Sequence, residues 1–357
     1  MVMSKYPKMK YSTLVIWYIG CILGNINLVT AQDPQFSQFY AAPLYLNPAF
    51  AGSTNQARIG MNYRNQWPSI DANFTTVSAF FDMYVEDYNS GVGAVLTRDR
   101  EGIQGLQSMS LAVQYAYDLK IIPGLSFRPG FQAAVYYRSI NFDRLTFGDQ
   151  FDPATGDVIN PISVEALNTG QFKIFPDISA GGLFYTNRAW LGFAAHHLTQ
   201  PNQSLIGEVS KLPMKLSAHA GFKFFFKPGA IGEGIYARKS ERSVAPAFQY
   251  RHQGVSDQMD LGLYFTFEPI IIGTWYRGIP LKSVNGFSNN ESIVLLFGFT
   301  QKGEKDILNI GYSYDYTISQ LGAGSGGAHE ISLVYSWSTR NPRKPPKDKL
   351  VIPCPDF

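Results

Sequence analysis

From about residue 56 onward, apolar residues recur at every second position over segments of about ten residues, the period of a strand with two unlike faces rather than of a helix. In one segment Leu308, Ile310, Tyr312, Tyr314 and Tyr316 alternate with Asn309, Gly311, Ser313, Asp315 and Thr317. Ile331, Leu333, Tyr335 and Trp337 alternate in the same way with Ser332, Ser336 and Ser338, the polar face being broken once by Val334. Leu111, Val113, Tyr115, Tyr117 and Leu119 form a third such series against Ser110, Gln114 and Asp118. Segments of this kind predict fourteen strands: 56–66, 74–83, 91–98, 106–119, 125–138, 177–185, 189–197, 214–226, 244–252, 259–268, 270–277, 292–301, 307–316 and 330–337. An even count suits a closed antiparallel barrel whose two ends leave on the same side.

Composition decides which solvent the apolar face meets. Charged residues are 16% of the chain and aromatics 15%, whereas a soluble domain carries about 25% charge. Past the first thirty or so residues there is no apolar run of roughly 20 residues, the length a spanning helix needs. Only helices and closed sheets satisfy the whole backbone inside lipid, so the combination points to a transmembrane β-barrel. A soluble sandwich or water-soluble barrel would alternate too, but the aromatics here crowd toward strand ends, as in Phe222, Phe224 and Phe226, where interfacial girdles form. The net charge of +3 is too small to argue for a nucleic-acid partner.

Loop lengths test the barrel independently, because outer-membrane barrels join their strands by short periplasmic turns and longer outer loops. The expected tight turns lie at 121–124, 186–188, 268–269 and 302–304. The expected long connections lie at 139–176, 198–213, 278–291 and 319–328. The connection 227–243 is long yet falls on the periplasmic side, where it would be a docking element or a local miscount.

The ends of the chain are different in kind. Lys5, Lys8 and Lys10 precede an apolar stretch from Leu14 to Val29, followed by Val29-Thr30-Ala31, which predicts a secretory signal over 1–31 cleaved after Ala31. A lipoprotein reading at Cys21 is the rival; Tyr18 sits where a small aliphatic is favoured, and the apolar run continues past it. With Cys21 removed, Cys354 has no internal disulfide partner. The segment 32–55 holds Pro34, Pro43 and Pro48 and does not alternate, so it cannot be a central strand. It is either a linker into the first strand or a hatch folded into the lumen, with Phe36, Phe39, Tyr40, Leu46, Asn47, Pro48 and Phe50 as its contact residues. At the other end, 339–357 is rich in proline and lysine and reads as an extended periplasmic tail. Its apolar tip, with Leu350, Ile352, Cys354 and Phe357, is either a disordered end or a docking element for a periplasmic partner or the lumen.

The opening Asp33-Pro34-Gln35-Phe36-Ser37-Gln38-Phe39-Tyr40, the following Pro43-Leu44-Tyr45-Leu46-Asn47-Pro48-Ala49-Phe50-Ala51-Gly52, and Tyr63-Arg64-Asn65-Gln66-Trp67 resemble the start of mature PorP/SprF proteins of Bacteroidota. The resemblance returns in Tyr312-Ser313-Tyr314-Asp315 and His329-Glu330-Ile331-Ser332-Leu333, bracketing the barrel. It implies a non-catalytic outer-membrane component of type IX secretion and gliding machinery, exported by a cleaved signal peptide. Such a component anchors or assists a secreted surface adhesin or other cargo and contacts periplasmic secretion-machine or peptidoglycan-binding proteins. The Asn47-Pro48-Ala49 triplet also resembles the hatch of fatty-acid-transporter barrels, which makes a transport barrel for hydrophobic small molecules the alternative.

The remaining chemistry-bearing residues are sparse. Arg64, near the far end of the first strand, is expected to face the lumen and pair with Asp315 or Glu330, a ligand contact being the other reading. Ser217 and His219 share a strand face, and His196, His197, His252 and His329 are dispersed; no nucleophile, base and orienter stand at a recognisable spacing. No metal spacing appears, and Gly322-Ala323-Gly324-Ser325-Gly326-Gly327 lacks the lysine and helix of a phosphate loop. No enzyme, cofactor or metal is expected.

Overall fold

The computed structural model describes residues 33–54, 56–102, 105–140, 145–159, 163, 172–205, 209–226, 241–284, 287–320, 322–339 and 350–355. The expected signal segment 1–31, most of the connection 227–243, the Pro/Lys-rich stretch 341–349 and Phe357 lie outside the described residues.

One antiparallel sheet closes on itself. Its strands are β1 (Ala57–Gln66), β2 (Phe74–Val85), β3 (Ser90–Glu101), β4 (Leu106–Tyr117) with its continuation β5 (Leu119–Ile122), β6 (Leu125–Ser139), β7 (Phe172–Tyr185) and β8 (Ala189–His196). Then follow β9 (Lys215–Phe222) with its continuation β10 (Phe224–Phe225), β11 (Arg242–Gln253), β12 (Ser256–Phe267), β13 (Ile270–Val284), β14 (Phe287–Lys302), β15 (Asp306–Thr317) and β16 (Ala328–Trp337). Each pairs with its chain neighbours, and β1 pairs with β16 from Ala57↔Trp337 to Gln66↔Ala328, which shuts the ring. Taking β4 with β5 and β9 with β10 as single staves, the barrel has fourteen strands, at the positions the alternation predicts.

The two faces explain the registers. Along β15 the residues Asn309, Gly311, Ser313, Asp315 and Thr317 are buried while Ile310, Tyr312 and Tyr316 are exposed. The outward residues form a lipid-facing apolar band: Leu111 is 57% exposed, Val113 59% and Leu295 58%. Slipping any strand by one residue would turn its polar set into lipid, so hydrophobicity pins the register.

Neither split breaks the register. Lys223, between β9 and β10, turns its ammonium to Glu241 at 2.8 Å, and its backbone N–H continues the β8–β9 register by donating to the Arg188 carbonyl. Asp118, between β4 and β5, likewise continues the β3–β4 register by donating its N–H to the Asn89 carbonyl. The expected long connection 278–291 is corrected: β13 and β14 continue pairing to Val284↔Phe287. The ladder there shifts register at Arg277/Gly278, where Gly278 has φ +142°. A bulge of this kind interrupts the alternation while the hairpin goes on, which is why period counting stops early. The long expected connection 139–176 also shortens, because β7 begins at Phe172.

Candidate functional site

The three prolines that keep 33–54 out of the sheet also shape it. Pro43 opens a one-turn helix, Pro43–Leu46, and Pro48 opens a 3-10 turn, Pro48–Phe50, because its fixed φ and missing N–H suit a first helical position. Asn47 caps that second turn, its side chain accepting from the Ala49 N–H at 2.9 Å. The segment lies within the ring: Phe36, Phe39, Tyr40, Leu46, Asn47, Pro48 and Phe50 are all buried. Two strand glycines give it room. A Cβ on Gly91 would stand 1.8 Å from the Ala51 carbonyl oxygen, and one on Gly130 2.3 Å from the Ala49 nitrogen.

The segment runs from the end of the barrel where β8 and β11 finish to the end where β1 begins, and each level is tied to a different part of the wall. At the first level Asp33 takes Lys215 Nζ at 2.6 Å and His197 Nε2 at 2.8 Å, and its N–H donates to Gln253 Oε1 at 3.0 Å. Burial works against ionisation of Asp33, but Lys215 and His197 outweigh it and hold the carboxyl well below its usual range. Burial likewise opposes the charge on His197, yet Asp33 and Asp177, 2.9 Å from Nδ1, push its pKa up to about 9.

One level down, a buried chain of alternating charges runs around the inner wall. Arg251 bonds Asp260 at 2.9 Å, Asp260 bonds Arg277 at 2.8 Å, Arg277 bonds Asp315 at 2.9 Å, Asp315 bonds Arg64 at 2.8 Å, and Arg64 reaches Glu330 at 3.3 Å. The structure thus brings together Arg64, Asp315 and Glu330. Buried charges hold only when paired and hydrogen-bonded, and the N-terminal segment adds further bonds to them. Ser37 Oγ donates to Asp315 at 2.6 Å and accepts from Arg64 at 2.8 Å and Arg277 at 3.0 Å. The Ser37 and Gln38 N–H groups both donate to Glu330, at 2.6 and 3.0 Å.

Deeper still, aromatic contacts replace charges. Phe39 meets Trp275 edge-on at 5.0 Å, Tyr40 meets Trp190 at 5.7 Å and accepts its indole N–H at 2.9 Å, and Phe50 stacks on His219 at 5.4 Å. Asn47 donates to the carbonyls of Gly182 at 3.2 Å and Phe193 at 3.0 Å. At the last level Arg128 donates to the carbonyls of Ala49 at 3.2 Å and Ala51 at 2.5 Å. Arg58 grips Asp82 through two bonds, at 2.8 and 2.7 Å, and Asp82 accepts the Gly52 N–H at 2.7 Å.

The C-terminal tip joins this core. Ile352 is buried in the same apolar cluster as Tyr40 and Tyr264, with Leu350 and Cys354 packed against it. Of the four tip residues expected to dock, these three therefore lie against the luminal core, and Phe357 lies outside the described residues. Among the described residues no group of three or more His, Cys, Asp and Glu side chains has a metal-holding arrangement. Ser217 and His219 are buried neighbours on β9, with His219 Nε2 3.3 Å from Asn47 Nδ2.

Sequence reading found one end of the charge chain and missed Arg251, Asp260 and Arg277. The signal was present: each is a charge at an inward position of a segment whose outward neighbours are apolar, and such charges need partners. Asp33, Lys215 and His197 carried no such signal, because nothing in the sequence brings 33 to 197 and 215.

Fold and interior together define a transmembrane β-barrel of the outer-membrane type whose lumen is filled by its own N-terminal segment. The sequence profile of the family described as type IX secretion system membrane protein PorP/SprF matches residues 28–335, and the chain belongs to that family. No curated protein matches the chain. Among solved structures, it is similar to a Pseudomonas aeruginosa FadL homologue at 13% identity, covering 84% of this chain and 94% of that one, with a TM-score of 0.43. The Ralstonia pickettii toluene transporter TbuX aligns at 9% identity over 83% of this chain and 93% of its own, TM-score 0.46. The Pseudomonas putida toluene transporter TodX does so at 11% over 87% and 95%, TM-score 0.41.

Proposed function

We propose that this barrel is a non-catalytic outer-membrane component of the type IX machinery that anchors or assists display of a secreted surface adhesin and meets periplasmic partners at its short-turn end. The observation that carries the reading, beside family membership, is the seated N-terminal segment, bonded to β1, β2, β6, β7, β9, β11, β13, β15 and β16. A lumen occupied at every level suits a scaffold better than a free-flowing pore. On this reading 1–31 is a cleaved export signal, and the connection 227–243 and the stretch 339–349, both leaving the short-turn end, supply contacts to periplasmic ring or peptidoglycan-binding proteins.

Deleting the gene and restoring it on a plasmid tests this. Display of the adhesin on the cell surface should be lost and regained, and the protein should co-purify with periplasmic machine components after crosslinking. Unchanged display together with loss of uptake of a hydrophobic solute such as laurate would replace the reading with transport.

A further inference from the structure

The outward positions of β3 change character along the strand. Val92 and Leu96 face lipid, but the next two outward positions hold Arg98 and Arg100, both exposed. The acids beside them, Asp99 and Glu101, take the alternate, inward positions, and Asp99 is buried and accepts from Thr76 Oγ1 at 2.5 Å. The two arginines therefore stand on the membrane side of the wall with no carboxylate across either ladder: Arg98 is paired with Val77 and Met109, and Arg100 with Thr75 and Gln107.

Register fixes their level. The row through Leu96 holds Leu333, Met61, Ala79 and Leu111, all apolar. The next row toward the end with the long connections holds Tyr312, Ile331, Tyr63, Val77, Arg98 and Met109, where aromatic rings join the apolar set. The row beyond is polar, with Asn65, Thr75, Arg100 and Gln107. The edge of the hydrocarbon thus passes through Arg98, at the aromatic girdle that marks headgroup level. A cation on the lipid face is costly at mid-bilayer and costs little at this edge.

Both charged heads turn away from the hydrocarbon. Arg98 Nη2 donates to Oε1 of Gln107, in the polar row, at 3.0 Å. Arg100 curls toward the β3–β4 turn, where a Cβ on Gly105 would stand 3.5 Å from its Nε. Side chains that bury a stem and keep the charge at the interface take this posture. It brings two guanidinium groups to one level, and among the described residues neither makes an ion pair. Like charges so placed repel, and an anion between them relieves the repulsion. Successive outward residues lie roughly 7 Å apart along a strand, a span that long side chains close around a single phosphate. Guanidinium groups bind phosphate through paired N–H donors.

We propose that Arg98 and Arg100 bind the phosphate of a lipid headgroup in the outward leaflet, whose acyl chains lie along the apolar row of Leu96 and Leu111. The proposal depends on the barrel's place in an outer membrane and not on the secretion reading.

Native mass spectrometry of the full chain in an uncharged detergent, titrated with diphosphoryl lipid A or with the same lipid stripped of its phosphates, tests this. Lipid A should bind at least about tenfold more tightly than the stripped form, and Arg98→Gln and Arg100→Gln should each weaken it about tenfold, the loss of a charge-assisted hydrogen bond. Arg242→Gln, which removes an exposed outward charge at the opposite end of the barrel, should change nothing. All three variants should keep the gel-mobility difference between heated and unheated samples that reports a folded barrel. Equal binding of the two lipids overturns the proposal whatever the variants do, and so does lipid A binding that neither Arg98→Gln nor Arg100→Gln weakens. An equal loss in Arg242→Gln overturns it by making the effect one of net charge. Displacement of lipid A by millimolar inorganic phosphate overturns it as well, because that marks a site for a free anion.

Discussion

Arg277 is the middle of the alternating charge chain, and replacing it with methionine tests whether that chain holds the interior together. The guanidinium is fully buried and bonds Asp260 at 2.8 Å and Asp315 at 2.9 Å. Removing one partner of a buried pair typically costs 3–5 kcal/mol, because the other charge is left uncompensated. Here each acid keeps one cation, Asp260 through Arg251 and Asp315 through Arg64. The loss should therefore fall at the low end, about 3 kcal/mol. Asp315→Asn alone should cost a similar amount, since it strips one acid from Arg64 and Arg277 together. The double variant removes one charge of each sign and leaves Arg251–Asp260 and Arg64–Glu330 as intact neutral pairs. Its cost should be smaller than the sum of the two singles by roughly 2 kcal/mol, within the coupling range of residues in one network. Urea unfolding in detergent micelles, followed by tryptophan emission, measures all four proteins. Additive single losses, or an Arg277→Met variant within about 0.5 kcal/mol of the parent, would refute the network, because that is the range of substitutions that touch nothing important.

Three further outcomes follow from the same interior. Gly130→Val places side-chain atoms where the Ala49 nitrogen stands 2.3 Å from a built Cβ; chymotrypsin should then cut between Phe36 and Phe50 in the folded barrel, and unchanged resistance would show the segment is not held at that level. Cys354, packed against the core that contains Tyr40 and Tyr264, should react with maleimide far more slowly in the folded protein than in urea, as read on the C-terminal peptide by mass spectrometry; equal rates would remove the tip from the lumen. His197, whose pKa is pushed up to about 9, contributes stability that is fully present below the ordinary histidine value near 6.5 and is lost as pH rises through about 9. Chymotryptic resistance around Phe36 should therefore fall between those pH values in the parent and show no such step in His197→Asn; the same step in both would assign it to another group.

The barrel was legible because lipid enforces a rule the sequence cannot evade: residues such as Leu111, Val113 and Leu295 must alternate with inward ones or the strand does not fit. Where the rule relaxes, so does the reading. Past Arg277 the hairpin of β13 and β14 bulges at Gly278, and alternation no longer marks it. Arg64 with Glu330 could be anticipated because both lie on inward positions of strands that close the ring, and they are directly paired in register. The contacts of Asp33 with Lys215 and His197, and of the C-terminal tip with Tyr40, depend on how two non-strand segments coil inside a tube. No periodicity records that, so composition could suggest an inward segment without assigning its partners.

The junction of β1 with β16, where the sheet closes, has a mechanical consequence. Ten residue pairs join these strands, and one of them, Arg64 opposite Glu330, is gripped from inside by Ser37 and Gln38. Gln38 extends that grip along β16, donating to the Glu330 carbonyl at 3.0 Å and accepting from Ser332 at 2.6 Å. The first residues of the described chain thus act as a latch across the first and last strands. Parting the ladder at this junction would require lifting that latch first.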